Sequence, residues 1–88
     1  MLDDNKIRAF LTVVEKESFS AAAVQLGVTQ PAVSAQIASL EAALGVQLFL
    51  RGRELALTPS GEAFLPYARR IQDAYDLANE TFCSVFSK

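Results

Sequence analysis

Eighty-eight residues, 51% hydrophobic and 20% charged, make one small folded domain, of a size at which help from a partner subunit is plausible. There is no histidine and one cysteine, Cys83, which excludes an internal disulfide and the usual zinc sites and leaves acid–base chemistry to carboxylates. Glu41, Glu54 and Glu62 form no obvious pair, no Gly-rich phosphate loop is present, and no nucleophile has a candidate base near it, so no enzyme, metal or cofactor is expected. The net charge of −2 argues at first against a nucleic-acid partner, yet residues 18–58 are neutral, with Arg51 and Arg53 balanced by Glu41 and Glu54. No apolar run approaches the roughly twenty residues of a membrane helix. The opening "MLDDNKIRAF" is unlike a signal peptide, and the expected location is cytoplasmic.

In chain order, Asp3, Asp4 or Asn5 can cap a first helix whose stripe is Ile7, Phe10, Leu11 and Val14 and which should run to about Lys16. In "ESFSAAAVQLG", Ser20 is the expected N-cap of a short second helix that Gly27 ends in the left-handed conformation. Thr29 can cap a third helix, which tolerates Pro31 in its first turn and stops at Gly45. Val33, Ile37, Leu40 and Leu44 recur on its buried face. Its other face carries Gln30, Ser34, Ala35, Ala38 and Ser39, where a solvated helix would normally show Lys and Glu. A supporting helix followed by two helices joined through a tight Gly-containing turn is the order of a helix-turn-helix unit.

Beyond Gly45, Val46, Leu48 and Leu50 alternate with Gln47, Phe49 and Arg51, and Leu55 to Leu57 can pair back on them, which predicts a small hairpin wing with a basic tip. Thr58 and Pro59 open a last helix whose apolar residues Phe64, Ala68, Ile71, Tyr75, Ala78, Phe82 and Val85 are spaced 4-3-4-3-4-3. At about 1.5 Å per residue this helix is on the order of 40 Å long, more than so small a globule covers by itself, so a second copy is expected on the stripe. The bland alternative is that the stripe is intramolecular core. Pro66 predicts a kink or bend early in the helix. Heptad spacing leaves parallel and antiparallel pairing both open.

The run "SFSAAAVQLGVTQPAVSAQIASLEAALGVQLFLR", followed by "LALTPSGEAFLPYARRI", resembles the N-terminal DNA-binding domain of the LysR-type transcriptional regulators over about Ile7 to Ile71. "SFSAAA", "TQPAVS", "QI..LE..LG..LF.R" and "LTPSGE" coincide in order, a specific combination. The resemblance implies a mainly α winged helix-turn-helix over residues 1–58 and a linker helix over 59–88 used for dimerisation. It also implies a much larger C-terminal effector-binding domain, for which these residues leave no room. A homodimer, or a tetramer in a longer protein, would read an interrupted palindrome in double-stranded DNA and regulate transcription. The apolar stripe still running at "FCSVFSK" suggests a truncated regulator.

The residue types suit that task. Gln30 can hydrogen-bond adenine bidentately, Ser34 can donate or accept, and Pro31, Ala32 or Ala35 can touch a thymine methyl. Ser18, Ser20 and Thr29, near helix N-termini, suit phosphate oxygens. By resemblance, Arg51 and Arg53 contact the sugar–phosphate backbone and Gln36 lies along or supports the DNA-facing side. Taken alone, Ser18, Ser20 and Thr29 are also ordinary caps, Gln30 and Ser34 ordinary surface, and Arg51 with Arg53 an ordinary hairpin tip. Phe19, Leu26, Val33 and Leu40 are expected in the core, and Arg69 and Arg70 on a solvated or ion-paired face. The chain departs from the family pattern at Ala35 and around Ala38–Ser39, where many relatives carry Arg or Lys, and in a wing about one residue short. Both departures predict a shallower salt dependence of DNA binding. They also keep open a protein-interaction module that retains the fold and binds DNA poorly.

Overall fold

Among the residues described in the computed structural model, 4–52 and 54–86, with side chains for 5–52 and 54–81, helices and a hairpin alternate with short connections. The order is α1 (Asp4–Lys16), α2 (Phe19–Leu26), α3 (Gln30–Leu44), β1 (Phe49–Arg51), β2 (Leu55–Leu57) and α4 (Pro59–Phe86). This is the expected mainly α winged helix-turn-helix followed by a long helix. Among the described residues, no helix is long and apolar enough to cross a membrane. The expected cap at Asp3 lies outside the described residues.

The helix ends follow local rules. Thr29 Oγ1 accepts from the Ala32 amide at 3.2 Å, and Pro31 sits in the first turn of α3, where its missing amide costs no helical bond. Gly27 and Gly45 close α2 and α3 at φ +69° and +73°, a left-handed conformation that a β-carbon disfavours. The cap of α2 is a correction: Ser18 fills it, with extended backbone and its hydroxyl accepting from the Ala21 amide at 3.1 Å. Ser20 lies inside the helix. Starting at Ser18 places Phe19 at the first helical position, with its ring 5.8 Å from that of Phe49.

The end of α1 carries strain. Glu17 has φ +55°, and its amide donates to the Val13 carbonyl at 2.8 Å, so a non-glycine residue occupies a left-handed cap. Glu17→Gly is expected to stabilise the chain by about 0.5–1 kcal/mol, the strain released exceeding the entropy added to the unfolded chain. A urea midpoint that falls in this variant would contradict that assignment.

The core gathers Ile7, Ala9, Phe10 and Val13 from α1, Ala22 and Ala23 from α2, and Val33, Ile37 and Leu40 from α3. Leu48, Phe49 and Ala68 complete it, while Phe19 and Leu26 are half-buried against it. Phe10 is the hub. Its ring lies 5.4 Å from both Phe49 and Phe64, tying α1 to the wing and to α4.

The wing breaks the expected alternation: Leu48 and Phe49 are both buried, whereas Val46 and Leu50 are exposed. The reason is Glu41, whose Oε2 accepts from the amides of Leu48 at 2.7 Å and Phe49 at 3.3 Å, so regular strand begins only at Phe49. From there β1 and β2 pair antiparallel, with Phe49 opposite Leu57 and Arg51 opposite Leu55.

Thr58 joins wing to α4. Its amide donates to the Leu48 carbonyl at 2.9 Å, its hydroxyl donates to the Gln47 carbonyl, and the same oxygen accepts from the Gly61 amide at 2.9 Å. The helix then runs uninterrupted through Pro66; Pro66 and Glu62 are both exposed, so water can take the carbonyl that lacks a helical partner. Of the expected dimer stripe, Ala68 is fully buried and Phe64 and Ile71 pack on the chain's own core. Those three are therefore engaged within the molecule. Tyr75 is half-buried and Ala78 exposed, and the side chains of Phe82 and Val85 lie outside the described residues.

Candidate nucleic-acid interface

Three elements meet around one open groove of about 540 Å³: the N-terminal ends of α2 and α3, and β1 with the start of the wing loop. Ser18, Ser20, Gln30, Ser34 and Arg51 all line it, although Ser18 and Arg51 are 33 residues apart in sequence. Folding therefore brings together five of the residues singled out from the sequence. Pro31 and Ala35 are exposed on α3 without lining the groove, and Thr29 is exposed at its cap. Gln36 is half-buried outside the groove, and Arg53 lies outside the described residues.

The groove end of α3 is shaped for close approach. Ala35, Ala38 and Ser39 are exposed and small, and Glu41 is the helix's sole ionisable side chain, so no long cation keeps α3 away from a facing surface. Gln30 is oriented from the neighbouring helix: Ser20 Oγ donates to its Oε1 at 2.9 Å. That contact gives Ser20 a role that the sequence does not reveal, since the two are ten residues apart. The Gln30 amino group keeps its donors for a partner outside the chain.

Neither α2 nor α3 has an acidic residue in its first turn. The partial positive charge of these helix ends, which Asp or Glu commonly offsets, thus stays available to an anion. Within the groove lining, Arg51 is the basic and Glu17 the acidic side chain. Arg51 is held on two sides: its guanidinium carbon lies 5.0 Å above the Phe19 ring, and Nη2 is 3.7 Å from Glu41 Oε1.

The contacts of Glu41 with Arg51 and with the Leu48 and Phe49 amides are what the sequence reading missed. The available signal was the position of Glu41 as the lone charge on a helix otherwise built of apolar and small polar residues.

Residues 5–62 match the profile of the lysR family of bacterial regulatory helix-turn-helix proteins. Among similar proteins, a "Probable nitrogen assimilation transcriptional activator" of Synechocystis sp. is 48% identical over 81 residues, covering 92% of this chain and 26% of that protein. The chain thus spans about a quarter of that relative's length. Among solved structures, a complex of the BenM DNA-binding domain with catB site 1 DNA superposes with a TM-score of 0.88 at 36% identity, covering 99% of each chain. A complex of the CbnR DNA-binding domain with DNA gives 0.86 at 34% identity, over 96% of this chain and 98% of the other.

Proposed function

Since the chain belongs to the lysR family of bacterial regulatory helix-turn-helix proteins, we propose that it reads double-stranded DNA through the groove face of α3 and acts in transcriptional regulation. The observation that carries this reading is the convergence of Ser18, Ser20, Gln30, Ser34 and Arg51 on one groove at two helix N-termini. The BenM and CbnR domains, which superpose over nearly their whole length, were each solved in complex with DNA. Its role is binding rather than catalysis; the chain has no histidine, and its groove is lined by donors suited to bases and phosphates.

In this reading α3 enters the major groove by its N-terminal end. Gln30, steadied by Ser20, and Ser34 meet base edges, and Pro31 and Ala35 lie against thymine methyls or the groove floor. Ser18 and Thr29, with the amides at the starts of α2 and α3, hold phosphate oxygens, the single hydroxyl proton of Ser20 being given to Gln30, and Arg51 and Arg53 hold the flanking backbone. Gln36 supports the helix from its half-buried side.

The division of labour places reading in residues 1–58 and pairing with a second copy in 59–88. Support for pairing comes from the part of α4 that the globule leaves uncovered, where Ala74, Leu77 and Ala78 are exposed. Arg69 and Arg70 precede Asp73, Asp76 and Glu80 on the helix, so an antiparallel pair sets opposite charges side by side. A parallel pair would set like charges together.

Selection of bound duplexes from a random pool tests the reading. Wild type should enrich an interrupted palindrome, whereas Gln30→Ala and Ser34→Ala should each relax preference at one base position per half-site. The expected loss is about 1–3 kcal/mol of discrimination at that position, with folding unchanged. Variants that enrich the same sequences as wild type would refute base readout by these residues.

A further inference from the structure

Arg51 cannot meet a phosphate without Glu41 beside it. The Glu41 side chain is 17% exposed, and its Oε2 is committed to the backbone amides of Leu48 and Phe49, which fixes the carboxylate at the base of the wing. Its other oxygen stands 3.7 Å from Arg51 Nη2. Arg51 is rooted at the end of β1 and rests on Phe19, and Glu41 cannot leave without giving up its two hydrogen bonds to the wing. Yet the Arg51 side chain is 45% exposed and lines the groove, within reach of an incoming anion.

We propose that Glu41 is a positioning residue for Arg51 that also competes with DNA phosphate for it, holding the chain's affinity for duplexes below what its groove would otherwise support. The inference rests on the DNA-binding reading above. A phosphate at the wing must share the guanidinium with a fixed carboxylate a few ångströms away and suffers that carboxylate's repulsion. Arg51 therefore orients the backbone while contributing little net charge to counterion release. Residence on DNA then depends more heavily on the base contacts of α3.

The test is the salt dependence of whole-chain binding to one duplex for wild type, Glu41→Gln, Arg51→Gln and the double variant, each with its thermal unfolding. Glutamine keeps an oxygen for the Leu48 and Phe49 amides and drops the charge. Glu41→Gln is expected to bind several-fold tighter at low salt, with a log–log slope steeper by about 0.9 for each protomer on the duplex, one phosphate's worth of counterion release per Arg51. Arg51→Gln alone should flatten the wild-type slope by less than half that amount, because the charge it removes is already offset. In the double variant the gain from Glu41→Gln should largely vanish.

A folded Glu41→Gln with unchanged or weaker binding, or one that gains equally without Arg51, would overturn the proposal. So would Arg51→Gln flattening the wild-type slope by the full amount, a readout that stands even if Glu41→Gln proves unstable. If wild type binds no duplex at any salt concentration, the DNA-binding reading itself has failed, and this proposal with it.

Discussion

Gly61→Ala is expected to destabilise the chain by about 3 kcal/mol and lower Tm by roughly 12–24 °C. The reason is a close approach of backbones. A β-carbon on Gly61 would overlap the Leu48 carbonyl oxygen and come within 2.8 Å of Leu57 Cδ2. That carbonyl accepts from the Thr58 amide, and the Gly61 amide donates to Thr58 Oγ1, so α4 and the wing are locked together where the methyl would intrude. Backbone on both sides cannot yield as the end of a side chain could. Ser60→Ala is the control. That half-buried residue borders an apolar patch formed by Leu44, Val46 and Tyr67, and its loss should move Tm by no more than about 4 °C. Thermal melts followed by circular dichroism read both, and a Gly61→Ala melt matching that of Ser60→Ala would show that the approach is not tight in solution.

Phe10→Ala should cost about 3–5 kcal/mol, a large part of the roughly 4–13 kcal/mol available to a chain of this size. Phe10 is fully buried and makes ring contacts with Phe49 in the wing and Phe64 in α4. Its removal leaves a cavity where three elements meet, and none of them can close it without moving the others. Phe10→Leu, which refills most of the volume, should cost less than about 1.5 kcal/mol. Urea unfolding at constant m-value measures both. A cost below about 1.5 kcal/mol for Phe10→Ala would mean that the core collapses around the gap and that the aromatic cluster is not the joint described here.

What could be read from the sequence was what local chemistry decides. Thr29, Gly27 and Gly45 set helix ends by rules confined to a few residues, and the Val33–Ile37–Leu40 face follows from helical period alone. The misreadings occur where distant residues decide. Ser18 and Ser20 offer the same hydroxyl, and the packing of Phe19 on Phe49 favours a start at Ser18. Leu48 and Phe49 are buried side by side because a carboxylate seven and eight residues earlier takes their amides. The stripe of α4 was visible as a period, but only the position of α1 decides that Phe64, Ala68 and Ile71 turn inward. Most of the groove residues were legible as a set because each is near a helix start or the wing. Their pairings, Ser20 with Gln30 and Glu41 with Arg51, were not, since each pair is ten residues apart in sequence and becomes adjacent only in the fold.

The central claim is that a pair of these chains reads two major-groove half-sites. Its most direct test is the affinity of the whole chain for duplexes carrying two selected half-sites set one helical turn apart or one and a half turns apart. The account predicts binding at least about a hundredfold tighter to the in-phase duplex, because linked readers engage both half-sites only when these lie on the same side of the helix. Equal affinity for the two spacings, or no binding at low salt by a chain shown to be folded, would contradict it.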